Sequence, residues 1–147
     1  MKNTSRTSNQ LGPISTPLVK HGGPYTESDG SICWYKHGKL HREDGPARTV
    51  KDEHQTTYQW FKDGELHRDG DEVAVFSQTS YCMDKSYYKE GKLHRENGPA
   101  HIFMGTNIHS VYTYYYLNGK LLSKIQWKKR TGKKLNIFEH IWNFFFE

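Results

Sequence analysis

The chain of 147 residues is sized for one domain, two at most. Only 34% of its residues are hydrophobic while 14% are aromatic, which suits a thin sheet carrying large rings better than a thick globular core. No stretch reaches the roughly 20 apolar residues of a membrane-spanning helix, and the net charge of +5 is concentrated near one end.

Residues 1–17 are expected to form a flexible leader. They are rich in Ser, Thr and Asn and have no apolar period. The absence of an apolar run in the first ten residues argues against a signal peptide. A half-unit follows, in which Leu18-Val19-Lys20-His21-Gly22-Gly23-Pro24 aligns with Leu40-His41-Arg42-Glu43-Asp44-Gly45-Pro46. A degenerate unit at one end is the expected capping element of a stacked array.

A repeat then fills the chain to residue 123. Trp34-Tyr35-Lys36-His37-Gly38-Lys39-Leu40-His41-Arg42-Glu43-Asp44-Gly45-Pro46-Ala47 is its fullest form. Trp60-Phe61-Lys62-Asp63-Gly64-Glu65-Leu66-His67-Arg68 is a second copy, and Tyr87-Tyr88-Lys89-Glu90-Gly91-Lys92-Leu93-His94-Arg95-Glu96-Asn97-Gly98-Pro99-Ala100 a third. Tyr115-Tyr116-Leu117-Asn118-Gly119-Lys120-Leu121-Leu122 is a truncated fourth. The turn glycines Gly38, Gly64, Gly91 and Gly119 are 26, 27 and 28 residues apart, a period that signals a repeat architecture.

Each copy reads as a β-hairpin. Asp63-Gly64 and Asn118-Gly119 are strong two-residue hairpin turns, because both positions take positive φ, and His37-Gly38 and Glu90-Gly91 follow by analogy. A two-residue turn sets the register. Tyr35, Phe61, Tyr88 and Tyr116 then oppose Leu40, Leu66, Leu93 and Leu121 on one face, which we assign to the core. Trp34, Trp60, Tyr87 and Tyr115 oppose His41, His67, His94 and Leu122 on the other face, which also carries Lys36, Lys62 and Lys89. The Gly-Pro turns at Gly45-Pro46 and Gly98-Pro99 lead into return strands at 47–50 and 100–103. The middle copy lacks the proline, so a shifted turn is expected there before a strand over 73–76.

The tail, residues 124–147, reads as a basic linker followed by a helix. Lys124, Lys128, Lys129, Arg130, Lys133 and Lys134 form a run with no acidic residue inside it. Without those six the rest of the chain carries −1, against +5 for the whole. From Leu135 to Glu147 the polar residues recur at helical spacing, and Asn136 and Glu139 stand as a capping pair. That short amphipathic helix would cover an open sheet edge, or join a second copy or a host protein. The expected fold is therefore mostly β: an antiparallel sheet of consecutive β-hairpin repeats with a C-terminal amphipathic helix.

The pattern aromatic-aromatic-x-x-Gly-x-Leu-His-Arg-x-x-Gly-Pro-Ala, carried in full by Trp34–Ala47 and Tyr87–Ala100, resembles the MORN-like repeats, in particular an antitoxin-like variant. The copies with the His-Arg…Gly-Pro-Ala ending look most like those of bacteriophages and large DNA viruses. The resemblance spans roughly residues 18–123. It implies a row of hairpins used as a binding surface, and supplies no catalytic residue to carry over.

Weighed as chemistry, the residues point to binding. His41, His67 and His94 lie on separate hairpins, too far apart for ligands that must stand about 2 Å from one ion, so no metal is expected. Each imidazole is expected to pack on its cross-strand ring and bond a carbonyl of the next turn. Arg42, Arg68 and Arg95 are expected to pair with Glu43, Asp69 and Glu96 or with turn carbonyls. Trp34, Lys36, Trp60, Lys62, Tyr87, Lys89 and Tyr115 form the candidate protein- or ligand-binding face. The alternatives there are a protein interface, stacked bases between phosphate-binding lysines, or rings that merely fill the inner side of the sheet. The basic run is a second candidate, as a phosphate contact or a solvated linker. No glycine-rich phosphate loop, G-x-S-x-G or H-E-x-x-H is present, so neither an enzyme nor a cofactor is expected. Cys33 and Cys82 sit five and nine residues before their turn glycines and form no repeated pair, which suits reduced thiols in the cytoplasm. The function these readings favour, taken with the resemblance, is stoichiometric binding to a host protein, with a defence component as one candidate. A nucleic-acid or nucleotide-binding protein is the alternative, and self-association through the C-terminal helix is a third reading.

Overall fold

The computed structural model describes residues 19–106 and 110–133. The leader, Leu18, Lys134 and the helix expected over 135–147 lie outside the described residues. Among the described residues, fourteen strands and one helix follow in order. They are β1 (Gly22–Thr26), β2 (Ile32–Lys36), β3 (Lys39–Leu40), β4 (Arg48–Lys51), β5 (Gln55–Gln59), β6 (Phe61–Lys62) and β7 (Glu65–Leu66), then β8 (Val75–Thr79), β9 (Cys82–Ser86), β10 (Tyr88–Lys89), β11 (Lys92–Leu93), β12 (His101–Gly105), β13 (Val111–Leu117), β14 (Lys120–Leu122) and α1 (Lys124–Thr131). The fold is mostly β, and every strand pairing is antiparallel.

The strands make two connected rows. The longer strands form one meander in the order β1-β2-β4-β5-β8-β9-β12-β13. The X-Gly turns make a second row of short hairpins: the end of β2 with β3, β6 with β7, β10 with β11, and the end of β13 with β14. All four turns have the expected conformation. His37, Asp63, Glu90 and Asn118 take φ of 49–51°, and Gly38, Gly64, Gly91 and Gly119 take φ of 70–89°, as a turn with two left-handed residues requires. The register is also as expected, with Tyr35 opposite Leu40, Phe61 opposite Leu66, Tyr88 opposite Leu93 and Tyr116 opposite Leu121. The middle turn is shifted, as its missing proline implied. Its strand starts at Val75, and Ala74 takes the place of Ala47 and Ala100.

Burial is greatest on the face opposite the one assigned to the core. Tyr87 and Tyr115 are each 8% exposed, and Leu122 is buried with them. The aromatic–Leu pairs are half-buried, and Leu121 is 55% exposed. The return strands explain the reversal. The ring residues Trp34, Trp60 and Tyr87 donate their N–H groups to Ala47, Ala74 and Ala100 O at 2.8–2.9 Å. Those three alanines have no accessible surface, so the return strand lies directly against the ring row. The core is thin. One cluster joins Tyr87 and Ile102 with Val73, Met83 and Met104; another joins Tyr115, Leu122 and Trp127 with Leu117.

Both ends of the hairpin row are closed. At the N-terminal end Lys20 O accepts from Gly38 N at 2.9 Å and His21 Nδ1 from His37 N at 3.4 Å. The half-unit is thus a cap, as expected, but two residues out of the expected alignment: His21, not Val19, occupies the place of His41. Its loop to Pro24 is shorter, and Gly23 lies so close to Trp34 that a Cβ there would stand 2.6 Å from the indole Cδ1. Lys20 also pairs with Glu27, which accepts from Tyr35 Oη at 2.9 Å. Burial and that hydrogen bond raise the Tyr35 pKa well above the usual phenol range.

At the other end, residues read as a linker form α1. Ser123 and Gln126 make a reciprocal capping box, and Gly132 ends the helix at φ 67°. Lys128, Lys129 and Arg130 occupy the last turn, where cations oppose the negative end of the helix dipole. Trp127, 1% exposed, stands 5.2 Å from the Tyr115 ring and donates Nε1–H to Arg95 O at 3.0 Å. Trp127→Ala should lower unfolding free energy by about 3–5 kcal/mol in urea denaturation, because it removes both the packed ring and the donor.

The β1–β2 turn carries the structure's clearest acid dependence. Asp29 Oδ1 accepts from Ser31 Oγ and N at 2.6 and 2.9 Å, and Oδ2 accepts from Arg48 Nη2 at 2.7 Å. The Ser31 bonds, then Arg48, hold its pKa at about 2 against an ordinary 3.8. A depressed carboxyl stabilises the fold above its unfolded pKa, and that stability is lost as pH falls toward 2. Thermal melts should show a loss between about pH 4 and pH 2 that Asp29→Asn reduces.

Candidate functional site

The ring–His–Arg face repeats one arrangement from hairpin to hairpin. Leu-His-Arg follows each hairpin turn, and the backbone folds back so that His41, His67 and His94 N donate to Trp34, Trp60 and Tyr87 O at 3.0, 3.1 and 3.0 Å. Each imidazole then reaches the next repeat. Nδ1 of His41, His67 and His94 accepts from the N–H of Asp63, Glu90 and Asn118 at 3.0, 3.2 and 3.1 Å. The expected carbonyl partner is thus a turn N–H. An accepting Nδ1 carries no proton, so the proton sits on Nε2. That nitrogen faces Glu43 at 3.5 Å, Asp69 at 2.9 Å and Glu96 at 3.6 Å. Asp63 Oδ1 also lies 3.0 Å from His41 Nδ1, but the backbone contact recurs in all three repeats and is the one that sets the tautomer.

Each arginine covers a ring. The guanidinium carbons of Arg42, Arg68 and Arg95 lie 4.0, 4.3 and 3.7 Å from the Trp34, Trp60 and Tyr87 ring centroids. Because Glu43, Asp69 and Glu96 face the histidines, the arginines bond elsewhere. Arg42 pairs with Asp44 at 2.7 Å, Arg68 with Glu72 at 2.5 Å and Val73 O at 3.0 Å, and Arg95 with Asp71 at 2.8 Å and Pro99 O at 3.4 Å. The fourth copy has Leu122 and Ser123 in the His and Arg places, and Trp127 packs on Tyr115 instead.

On the candidate binding face the rings are largely covered. Tyr87 and Tyr115 are buried, and Trp34 and Trp60 are half-buried beneath arginines, so the ring row is not open for a partner to stack on. The lysines stand outside it: Lys36 is 3.9 Å from Glu43, Lys62 is 3.4 Å from Asp69, and Lys89 is exposed. Open grooves between successive repeats are lined by charged side chains, among them His67, Asp69, Asp71, Arg95 and Glu96. They differ from the mostly apolar pockets typical of small-molecule sites. Among the described residues no three His, Cys, Asp or Glu side chains gather as a possible metal site.

Exposed rings occur elsewhere, on strands outside the motif. Tyr112 is 53% exposed and Tyr114 41%. The antiparallel register sets Tyr112 opposite Phe103, with centroids 6.1 Å apart, and Tyr114 opposite His101, stacked at 5.4 Å. His101 Nε2 is held at 2.5 Å by Asp84 Oδ2, and Ser86 Oγ donates to the other oxygen of Asp84 at 3.2 Å. Alternation in Val111-Tyr112-Thr113-Tyr114 could have located this patch in the sequence. In the basic run, Lys124, Lys128, Lys129 and Arg130 lie on α1 and Lys133 just beyond it; all five are exposed. Lys134 falls outside the described residues. No helix among the described residues is long and apolar enough to cross a membrane. No family model, curated protein or solved structure matches the chain.

The histidine ladder is directly testable. His67→Leu leaves the Glu90 N–H without its acceptor and should cost about 1–2 kcal/mol in urea denaturation. His67→Asn, which can place an amide oxygen near the Nδ1 position, should cost less. Equal losses would mean the imidazole matters only as packing.

Proposed function

We propose that this chain is a non-catalytic binding protein that acts stoichiometrically by occupying the surface of a protein partner. The observation that carries this reading is the exposed Tyr112–Tyr114 patch, backed by Phe103 and His101 on a fully paired strand. Rigid tyrosines give large contact area at little entropic cost and are enriched at interface hot spots. The resemblance of the repeats to MORN-like repeats of phages and large DNA viruses points to the host cytoplasm as the setting. On that analogy the partner is a host protein, with a defence component as a specific candidate.

One observation favours the alternative, a nucleic-acid or nucleotide-binding protein. No acidic residue occurs between Glu96 and Glu139, and the same stretch holds all six cations of the basic run. Phosphate binding through those cations would weaken steeply with salt, whereas a tyrosine-centred interface would weaken less.

Affinity capture from host lysate, with and without nuclease, separates the two. The expected result is one protein retained in stoichiometric amount, insensitive to nuclease, and lost with Tyr112→Ser/Tyr114→Ser in a chain that stays folded. Trp34→Ala/Trp60→Ala should instead destabilise the fold. Nuclease-sensitive recovery of nucleic acid would overturn the protein reading.

A further inference from the structure

The meander has two edges, and they are not alike. At one, β1 carries Pro24, which has no N–H to offer, and its register with β2 shifts between Gly22 and Tyr25. Proline and irregularity are the usual devices that keep an edge from recruiting another strand. At the other, β13 is paired along only part of its second side. β14 covers Tyr115–Leu117, and no strand among the described residues covers Val111–Tyr114.

That open segment is competent to pair. Gly105 N donates to Ser110 O at 2.9 Å. From there the antiparallel alternation turns the peptide groups of Tyr112 and Tyr114 toward β12 and those of Val111 and Thr113 outward. Tyr112, Thr113 and Tyr114 are all exposed. The segment contains no proline, lysine or other charged residue to block an incoming strand.

The surrounding charge selects the occupant. The described residues from Asn97 to Lys133 include no carboxylate, while Lys120, Lys124, Lys128, Lys129, Arg130 and Lys133 follow on β14, α1 and the residues just after it. None of those six pairs with a carboxylate among the described residues. A second copy presenting the same edge would bring like charges together. We propose that the Val111–Tyr114 edge accepts an extended acidic segment of the protein partner as an added strand. The segment's backbone would bond the outward peptide groups of Val111 and Thr113, and its carboxylates would face the cations of β14 and α1. Main-chain bonds would supply affinity and the alternating side chains specificity, as in other strand-addition complexes. This inference rests on the protein-binding reading and names the edge and the partner chemistry it would use.

The test is an NMR titration of the full isotope-labelled chain with a short blocked peptide of alternating Glu and Val. Three further ligands are compared: the same peptide N-methylated at alternate residues, its Lys–Val counterpart, and a short oligothymidylate. Shifts and slowed exchange are expected at the Val111 and Thr113 amides, with affinity at least about tenfold weaker for the N-methylated and Lys–Val peptides. No binding of the Glu–Val peptide, equal binding of its N-methylated form, or tighter binding of the oligothymidylate would overturn the proposal. Thr113→Pro removes an outward N–H and should abolish peptide binding; if it unfolds, the N-methylated peptide decides. Capture of the same host partner by folded Thr113→Pro and the original chain would sink the edge proposal while leaving the protein-binding reading intact.

Discussion

The structure depends on what happens to the backbone N–H groups of a two-residue turn. In an isolated hairpin those groups face water. Here the X-position N–H is taken by a histidine of the preceding repeat, while the turn glycine donates to that repeat's Leu carbonyl: Gly64 to Leu40, Gly91 to Leu66 and Gly119 to Leu93, at 2.8–3.0 Å. Each turn is therefore both a local fold and a connection to the preceding unit. A short two-stranded hairpin is marginal alone. The histidine and leucine contacts make the row a nearest-neighbour array, in which stability grows with each interface.

This arrangement explains why Leu-His-Arg recurs as a unit. Leu supplies the cross-strand contact and a carbonyl, His supplies an acceptor across the gap, and Arg folds over the ring that precedes the turn. The three act on different neighbours, so replacing one leaves the others in place. At the ends, His21 and Lys20 meet the first turn in the His and Leu places, and Trp127 covers the last ring. The first end thus keeps the histidine of the repeat, whereas the last ring is covered by a residue from outside it.

Turn type and hairpin register were legible in the sequence because both are local. Asp63-Gly64 and Asn118-Gly119 specify their backbone angles without reference to the rest of the chain, and a two-residue turn leaves one pairing. Which face is inner was not legible, because local alternation names two faces without ranking them. The ranking came from the buried Ala47, Ala74 and Ala100, whose carbonyls take the N–H groups of the ring residues, and from arginines lying over the rings, contacts made across the repeat. The helix was legible in part. Ser123-Lys124-Ile125-Gln126 has the capping-box spacing and Gly132 the expected stop, yet the lysines that mask those signals also suit a solvated helix face.

The candidate site was the least legible feature because repetition and exposure lie in different places. A residue present in every copy tends to serve the contacts every copy makes, and the Trp/Tyr–His–Arg set is used in this way. Tyr112 and Tyr114 belong to the strand leading into the last hairpin; the corresponding β5 and β9 positions include Thr57 and Asp84 instead. A side chain that departs from the repeat where the array ends is free of the stacking requirement. A repeat fold can in this way keep a constant framework and place recognition in the positions that the framework does not constrain.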